Sequence, residues 1–171
     1  IERSRLAEAL DPLSLTIHQV VGRCLYWARH LDEAIAHLQA TLEMDPRNTI
    51  TYTWLARAYL AAGRPEDVVQ LLEAGMGRTR RSAHFLSLLG CAYARLGDRD
   101  KALGILQEID RSPFRSSTLI GLGQTEMALD ALEQDVEART GFIFVLAVDP
   151  FFDGLREHPR FSRILESVGL K

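Results

Sequence analysis

A chain of 171 residues, 47% hydrophobic and 25% charged, is ordinary globular material with length enough for a sizeable core, which excludes a disordered or fibrous protein. Its 20 basic and 23 acidic residues leave a net charge of -3, so no overall field draws it to nucleic acid or to an anionic membrane. No apolar run approaches the roughly 20 residues of a membrane span, and the first residues lack the basic-then-apolar layout of a signal peptide, so the expected location is the cytoplasm.

In chain order, residues 1–14 read as the last turns of a second helix closed by Asp11-Pro12, so the chain is expected to start inside a helical hairpin and to be part of a longer protein. Residues 15–48 carry two amphipathic faces, Ile17, Val20, Val21, Cys24 and Leu25, then Ala34, Ile35, Leu38 and Leu42. Asp32 is the expected cap of the second helix, and Asp45-Pro46 its end. Residues 49–82 repeat the layout, with Leu55, Ala56 and Tyr59 inward, Gly63 as a left-handed stop and Pro65 opening the next helix. Residues 83–116 hold the cleanest copy, LLGCAYARLGDRDKALGIL. Ala56, Tyr59, Val68 and Leu72 have counterparts 34 residues back in Gly22, Leu25, Ala34 and Leu38, and 34 forward in Gly90, Tyr93, Ala102 and Leu106. Small stays small where the helices of a hairpin must cross closely.

The period then shortens. Gly123 and Ala128 follow Gly97 and Ala102 by 26 residues, which predicts a fourth hairpin, 117–139, with a truncated first helix. In 140–171, Asp149-Pro150 and His158-Pro159 each read as a cap with proline in the first turn. Phe142, Phe144, Phe151, Phe152, Phe161, Ile164, Leu165 and Val168 supply the apolar face of a terminal cap.

Little in the chain reads as chemistry. The histidines His18, His30, His37, His84 and His158 form no HExxH and no pair at i, i+4 on one helix, so no metal is expected. TLIGLGQT lacks the Lys-Ser/Thr of a phosphate loop and reads as a helix terminator. Asp32-Glu33 and Glu66-Asp67 sit at helix starts, where the dipole explains them. Cys24 and Cys91 read as core thiols, and Arg78, Arg80 and Arg81 as a solvated turn. No catalytic residue, cofactor or enzyme activity is expected.

The spacing Leu89-Gly90-x-x-Tyr93 with Ala102-x-x-x-Leu106, and the copies Leu55-Ala56-x-x-Tyr59 with Val68-x-x-x-Leu72 and Val21-Gly22-x-x-Leu25 with Ala34-x-x-x-Leu38, resemble the tetratricopeptide repeat. Pro12 and Pro46 match its closing proline, while His18 and Leu86 stand where Tyr52 supplies its first-helix aromatic, and Arg80 and Phe114 replace the later prolines. The resemblance implies an all-α fold, an α-α superhelix or solenoid of helical hairpins with a C-terminal capping helix pair, as one domain over 1–171. The tail DPFFDGLREHPRFSRILESVGL is similar to the segment that closes such arrays in bacterial signalling proteins, where an effector domain precedes the repeats.

What the family implies for function is a protein–protein interaction scaffold that binds a protein or peptide in a concave groove lined by the first helices. Carried onto this chain, the groove residues are Gln19, Arg23, Tyr26 and Trp27, then Thr53, Arg57, Leu60 and Ala61, then Ser87, Cys91, Ala94 and Arg95. Arg23 and Arg57 beside Tyr26 and Trp27 would suit an acidic or C-terminal carboxylate-bearing peptide, with ion pairing to neighbouring acids as the plainer use of the arginines. Gln19 and Arg23 stand where the chaperone-tail-binding members of the family have Lys and Asn, so chaperone binding is not expected. The alternative is a homodimer that sets the spacing of attached effector domains.

Overall fold

A computed structural model describes residues 1–79, 82–139 and 143–170; Arg80, Arg81 and Phe142 of the sequence reading lie outside the described residues. Ten α-helices and two 3₁₀ segments form among the described residues, with no strand, and no helix among them is long and apolar enough to cross a membrane. The chain divides into two compact units, Ile1–Arg81 and Ser82–Lys171.

The first unit holds α1 (Glu2–Leu10), α2 (Leu15–Trp27), α3 (Leu31–Met44), α4 (Thr49–Ala61) and α5 (Pro65–Gly75). Each helix packs on the next, and α2 also packs on α4, the local arrangement of stacked helical hairpins. Close approach is built in with glycine: a Cβ on Gly22 would lie 2.5 Å from the Leu38 side chain, and one on Gly75 2.6 Å from the Tyr52 ring. Val21, Leu25, Ala34, Ile35 and Leu38 fill the α2–α3 interior, and Tyr52, Leu55, Ala56, Tyr59, Val68 and Leu72 that of α4–α5. In contrast α1 has no buried residue, with Leu6 and Leu10 exposed.

Each hairpin turns the same way. After α2 the His30 N–H donates to the Leu25 carbonyl and the Arg29 N–H to that of Tyr26. The same pair of bonds recurs at Arg64 and Gly63, at Asp98 and Gly97, and at Gln124 and Gly123, closing a left-handed turn each time. Gly63, Gly97 and Gly123 have φ of 72°, 84° and 71°, and Arg29 occupies the corresponding place at 65° without being glycine. This turn leaves a single residue before the next helix, so the N-cap of α3 is His30 and not Asp32, which falls in the first turn with Glu33.

The second unit holds α6 (Ala83–Arg95), α7 (Arg99–Glu108), α8 (Ser116–Gly121), α9 (Thr125–Glu137), 3₁₀ segments at Ile143–Val145 and Pro150–Leu155, and α10 (Pro159–Ser167). The six residues of α8 are the truncated first helix, packed on α6, α7 and α9. Gly90 lets it approach: a Cβ there would meet Thr118 Oγ1 at 2.7 Å and Ile105 Cγ2 at 3.0 Å. Asp149 accepts from the Phe151 N–H, and His158 from that of Arg160. Phe151, Phe152, Phe161 and Ile164 are buried, whereas Phe144 is exposed and does not join that face. α10 lies on α9, where the Arg160 guanidinium bonds Glu126, Asp130 and Glu133, each at 2.7 Å. These carboxylates raise the Arg160 pKa further above its ordinary value.

Candidate functional site

Helical spacing puts Arg23 and Trp27 four residues apart on α2 and Trp54 and Arg57 three apart on α4, so packing α2 on α4 gathers two cations and two indoles. The Trp54 ring meets Trp27 edge-on, with centroids 5.5 Å apart, and Tyr26 at 5.9 Å. The Arg23 guanidinium lies 5.6 Å from the Trp54 centroid and 5.9 Å from that of Trp27, and Arg57 lies 5.9 Å from Trp54. Guanidinium over an indole is favoured by the ring's quadrupole, by about 2 kcal/mol or more where water is excluded.

Exposure sorts these side chains. Arg57 is 1% exposed, and Tyr26 is fully buried, so both are held inside the cluster. Arg23 and Trp27 are half-buried and form its accessible part. Two donors there, Arg23 Nε and Trp27 Nε1, are shielded from solvent and have no hydrogen-bond partner. Buried donors in native proteins are nearly always satisfied, so a neighbouring pair left open is a demand for an acceptor atom.

The other groove residues of the sequence reading lie elsewhere in the packing. Gln19 is buried and donates through Nε2 to Asn48 Oδ1 at 2.8 Å and Thr51 Oγ1 at 3.0 Å, tying α2 to the start of α4. Thr53 is buried and donates to its own helix at the Ile50 carbonyl, and Leu60 is buried. In the second unit Ser87 is buried; its hydroxyl donates to the His84 carbonyl and its own carbonyl accepts from Thr118 Oγ1 at 3.0 Å. Cys91 is buried and Ala94 half-buried; Arg95 is exposed, with its guanidinium 5.9 Å from the Phe151 ring of the tail. Trp54 is the member of the cluster that the family positions pass over. Its signal in the sequence was an aromatic at i-3 from Arg57 on the same helix.

Hairpins of this geometry, repeated at a 34-residue step with small residues at each crossing, define an all-α helical-repeat protein. Family models described as tetratricopeptide repeat match residues 25–91 and 86–110, and the chain belongs to the tetratricopeptide repeat family. It is therefore a protein–protein interaction scaffold in class. Among solved structures it is similar to YrrB, described as a TPR protein with an unusual peptide-binding site, at TM-score 0.57 and 14% identity over 95% of this chain and 89% of that one. It is also similar to two structures of MamA, at TM-scores 0.50 and 0.52, with 21% and 24% identity over 85% and 89% of this chain and 91% and 90% of those. At these identities the likeness concerns the fold. Comparison with curated proteins gave no match.

Proposed function

We propose that this chain is a non-catalytic scaffold that holds a peptide segment of a partner protein at the α2–α4 face, with Arg23 and Trp27 donating to a carboxylate, acidic side chain or C-terminus, of that segment. The observation that carries the reading is the pair of shielded, unpartnered donors, Arg23 Nε and Trp27 Nε1. An ionised acceptor is preferred over a neutral one because a hydrogen bond to a guanidinium is charge-assisted. The half-buried Trp27 ring, backed edge-on by the buried Trp54, offers the apolar wall against which a neighbouring side chain of the peptide would lie. That YrrB is described as having a peptide-binding site agrees with this class of ligand. The scaffold would serve as the regulatory segment of a larger bacterial protein.

The test is fluorescence polarisation with a library of labelled peptides carrying free or amidated C-termini and acidic or neutral residues. Binding of acidic or free-carboxylate peptides is expected, weakened about tenfold, or about 1.4 kcal/mol, by Arg23→Gln, and also weakened by Trp27→Phe, which keeps a ring and removes the N–H. Equal binding by the variants would reject the site. Binding of no peptide, together with a concentration-dependent mass in sedimentation, would favour the homodimer instead.

A further inference from the structure

Three side chains from three helices converge where α1 meets the α2–α3 hairpin. Glu8 of α1, His18 of α2 and His37 of α3 each offer one ligand atom, and these atoms lie within 4.8 Å of one another. His18 Nδ1 is 2.8 Å from Glu8 Oε1, and His37 Nε2 is 3.5 Å from the same oxygen. The two imidazoles stack with centroids 5.4 Å apart. All three side chains are partly shielded, at 16%, 24% and 19% exposure for His18, Glu8 and His37.

The protons decide what this cluster is for. His18 Nε2 lies 2.8 Å from the Pro12 carbonyl, which can only accept, so that nitrogen carries the hydrogen. In the neutral ring Nδ1 is then a bare lone pair facing a carboxylate oxygen, and two acceptors at 2.8 Å repel unless a proton or a metal ion joins them. A metal-ligating imidazole usually donates its other N–H to a carbonyl or carboxylate, as His18 Nε2 does to Pro12, which leaves Nδ1 for an ion. The His37 Nε2 atom is shielded and makes no hydrogen bond, with the Glu8 carboxylate oxygen 3.5 Å from it.

We propose that Glu8, His18 and His37 bind one divalent transition-metal ion of zinc's class and so staple α1 to the α2–α3 hairpin. Two imidazole nitrogens and one carboxylate oxygen suit zinc, cobalt or nickel better than calcium or magnesium, which take oxygen ligands. Ligands about 2.0–2.2 Å from a tetrahedral metal stand about 3.4 Å apart, so on binding the widest pair, within 4.8 Å, would close and the His18–Glu8 pair, at 2.8 Å, would open, both by side-chain rotation. A cavity of about 490 Å³ lined by Arg5, Glu8, Leu25, Glu33, Ala36 and His37 gives an ion a way in, and the one guanidinium on its wall, Arg5, is bound to Glu33 at 2.6 Å. The helix being stapled gains from it: α1 buries no residue, and the side-chain links that tie it to the hairpin include that exposed ion pair and this cluster. The site was not legible in the sequence because its ligands are 10 and 19 residues apart on separate helices, without any local metal motif.

The experiment is a titration of the chelator-stripped chain with cobalt(II) and zinc(II), read by the visible spectrum of bound cobalt and by melting temperature. One ion per chain is expected, with a higher melting temperature and the absorption bands of a low-coordinate cobalt site. Glu8→Gln and His37→Gln should each weaken binding at least about tenfold, whereas His30→Gln, which alters an exposed ring paired with Glu33, should bind as the native chain does. Glu8 lies on a helix without core residues, so its variant folds whatever His37→Gln does, and circular dichroism checks both. No binding, or binding that Glu8→Gln leaves unchanged, overturns the proposal and makes the cluster a proton-bridged ion pair. None of these substitutions touches Arg23 or Trp27, so the outcome is separate from that of the peptide test.

Discussion

Asp135 of α9 is half-buried, and that burial lifts its carboxyl from an ordinary value of 3.8 to about 7, against the opposing pull of Arg115. Below about pH 4 the group is protonated folded or unfolded, and it adds no pH dependence. Between about pH 4 and 7 the unfolded chain releases the proton while the folded one keeps it, so stability falls as pH rises and stays reduced above 7. Asp135→Asn should therefore raise the melting temperature at about pH 8 and leave it nearly unchanged at about pH 4, as thermal circular dichroism at the two values would read. At this scale the sequence was unevenly informative. The caps at Asp149 and His158 could be read because proline follows each. The environment of Asp135 could not, since an acid in an amphipathic helix looks alike whether its neighbours cover it or not.

The turn between the helices of a hairpin is the element that repeats most faithfully, and α2–α3 departs from it by one residue. Arg29 adopts φ of 65° where the later copies use glycine. A side chain in that region costs roughly 1 kcal/mol or more, which glycine avoids at some cost in chain entropy. Arg29→Gly should thus stabilise the first unit by about 0.5–1 kcal/mol, measured by urea unfolding. The three glycines of these turns were plain in the sequence, and their spacing carried the shortened α8 with them. The cap of α3 was misplaced onto Asp32 because an acid two residues into a helix carries the composition of a cap. Only the hydrogen bonds of the preceding turn fix the helix start at Leu31.

Each of the two units has its own buried set, in the second Phe85, Leu88, Leu89, Leu119, Ala128, Leu132, Phe152 and Phe161. Stacked hairpins draw stability from their immediate neighbours, so such a set supports folding locally. Residues 82–171 expressed alone should be helical and melt cooperatively; a non-cooperative, weakly helical fragment would contradict this. The 34-residue step and the family were legible because every hairpin needs small residues at the same crossings. The α2–α4 cluster was half legible: family positions supplied Arg23, Tyr26, Trp27 and Arg57, and side-chain direction, which they do not carry, brought in Trp54 and buried Arg57.

The indole cluster also makes the molecule optically lopsided. Trp27 and Trp54 are the chain's 2 tryptophans, and of its 4 tyrosines only Tyr93 falls in the second unit. Tryptophan emission therefore follows residues 1–81 alone, while the unfolding of 82–171 is dark to it and visible in backbone circular dichroism. If heating curves from the two signals fail to coincide, the gap between them measures how independently the two units come apart, and a single emission curve would misstate the stability of half the chain.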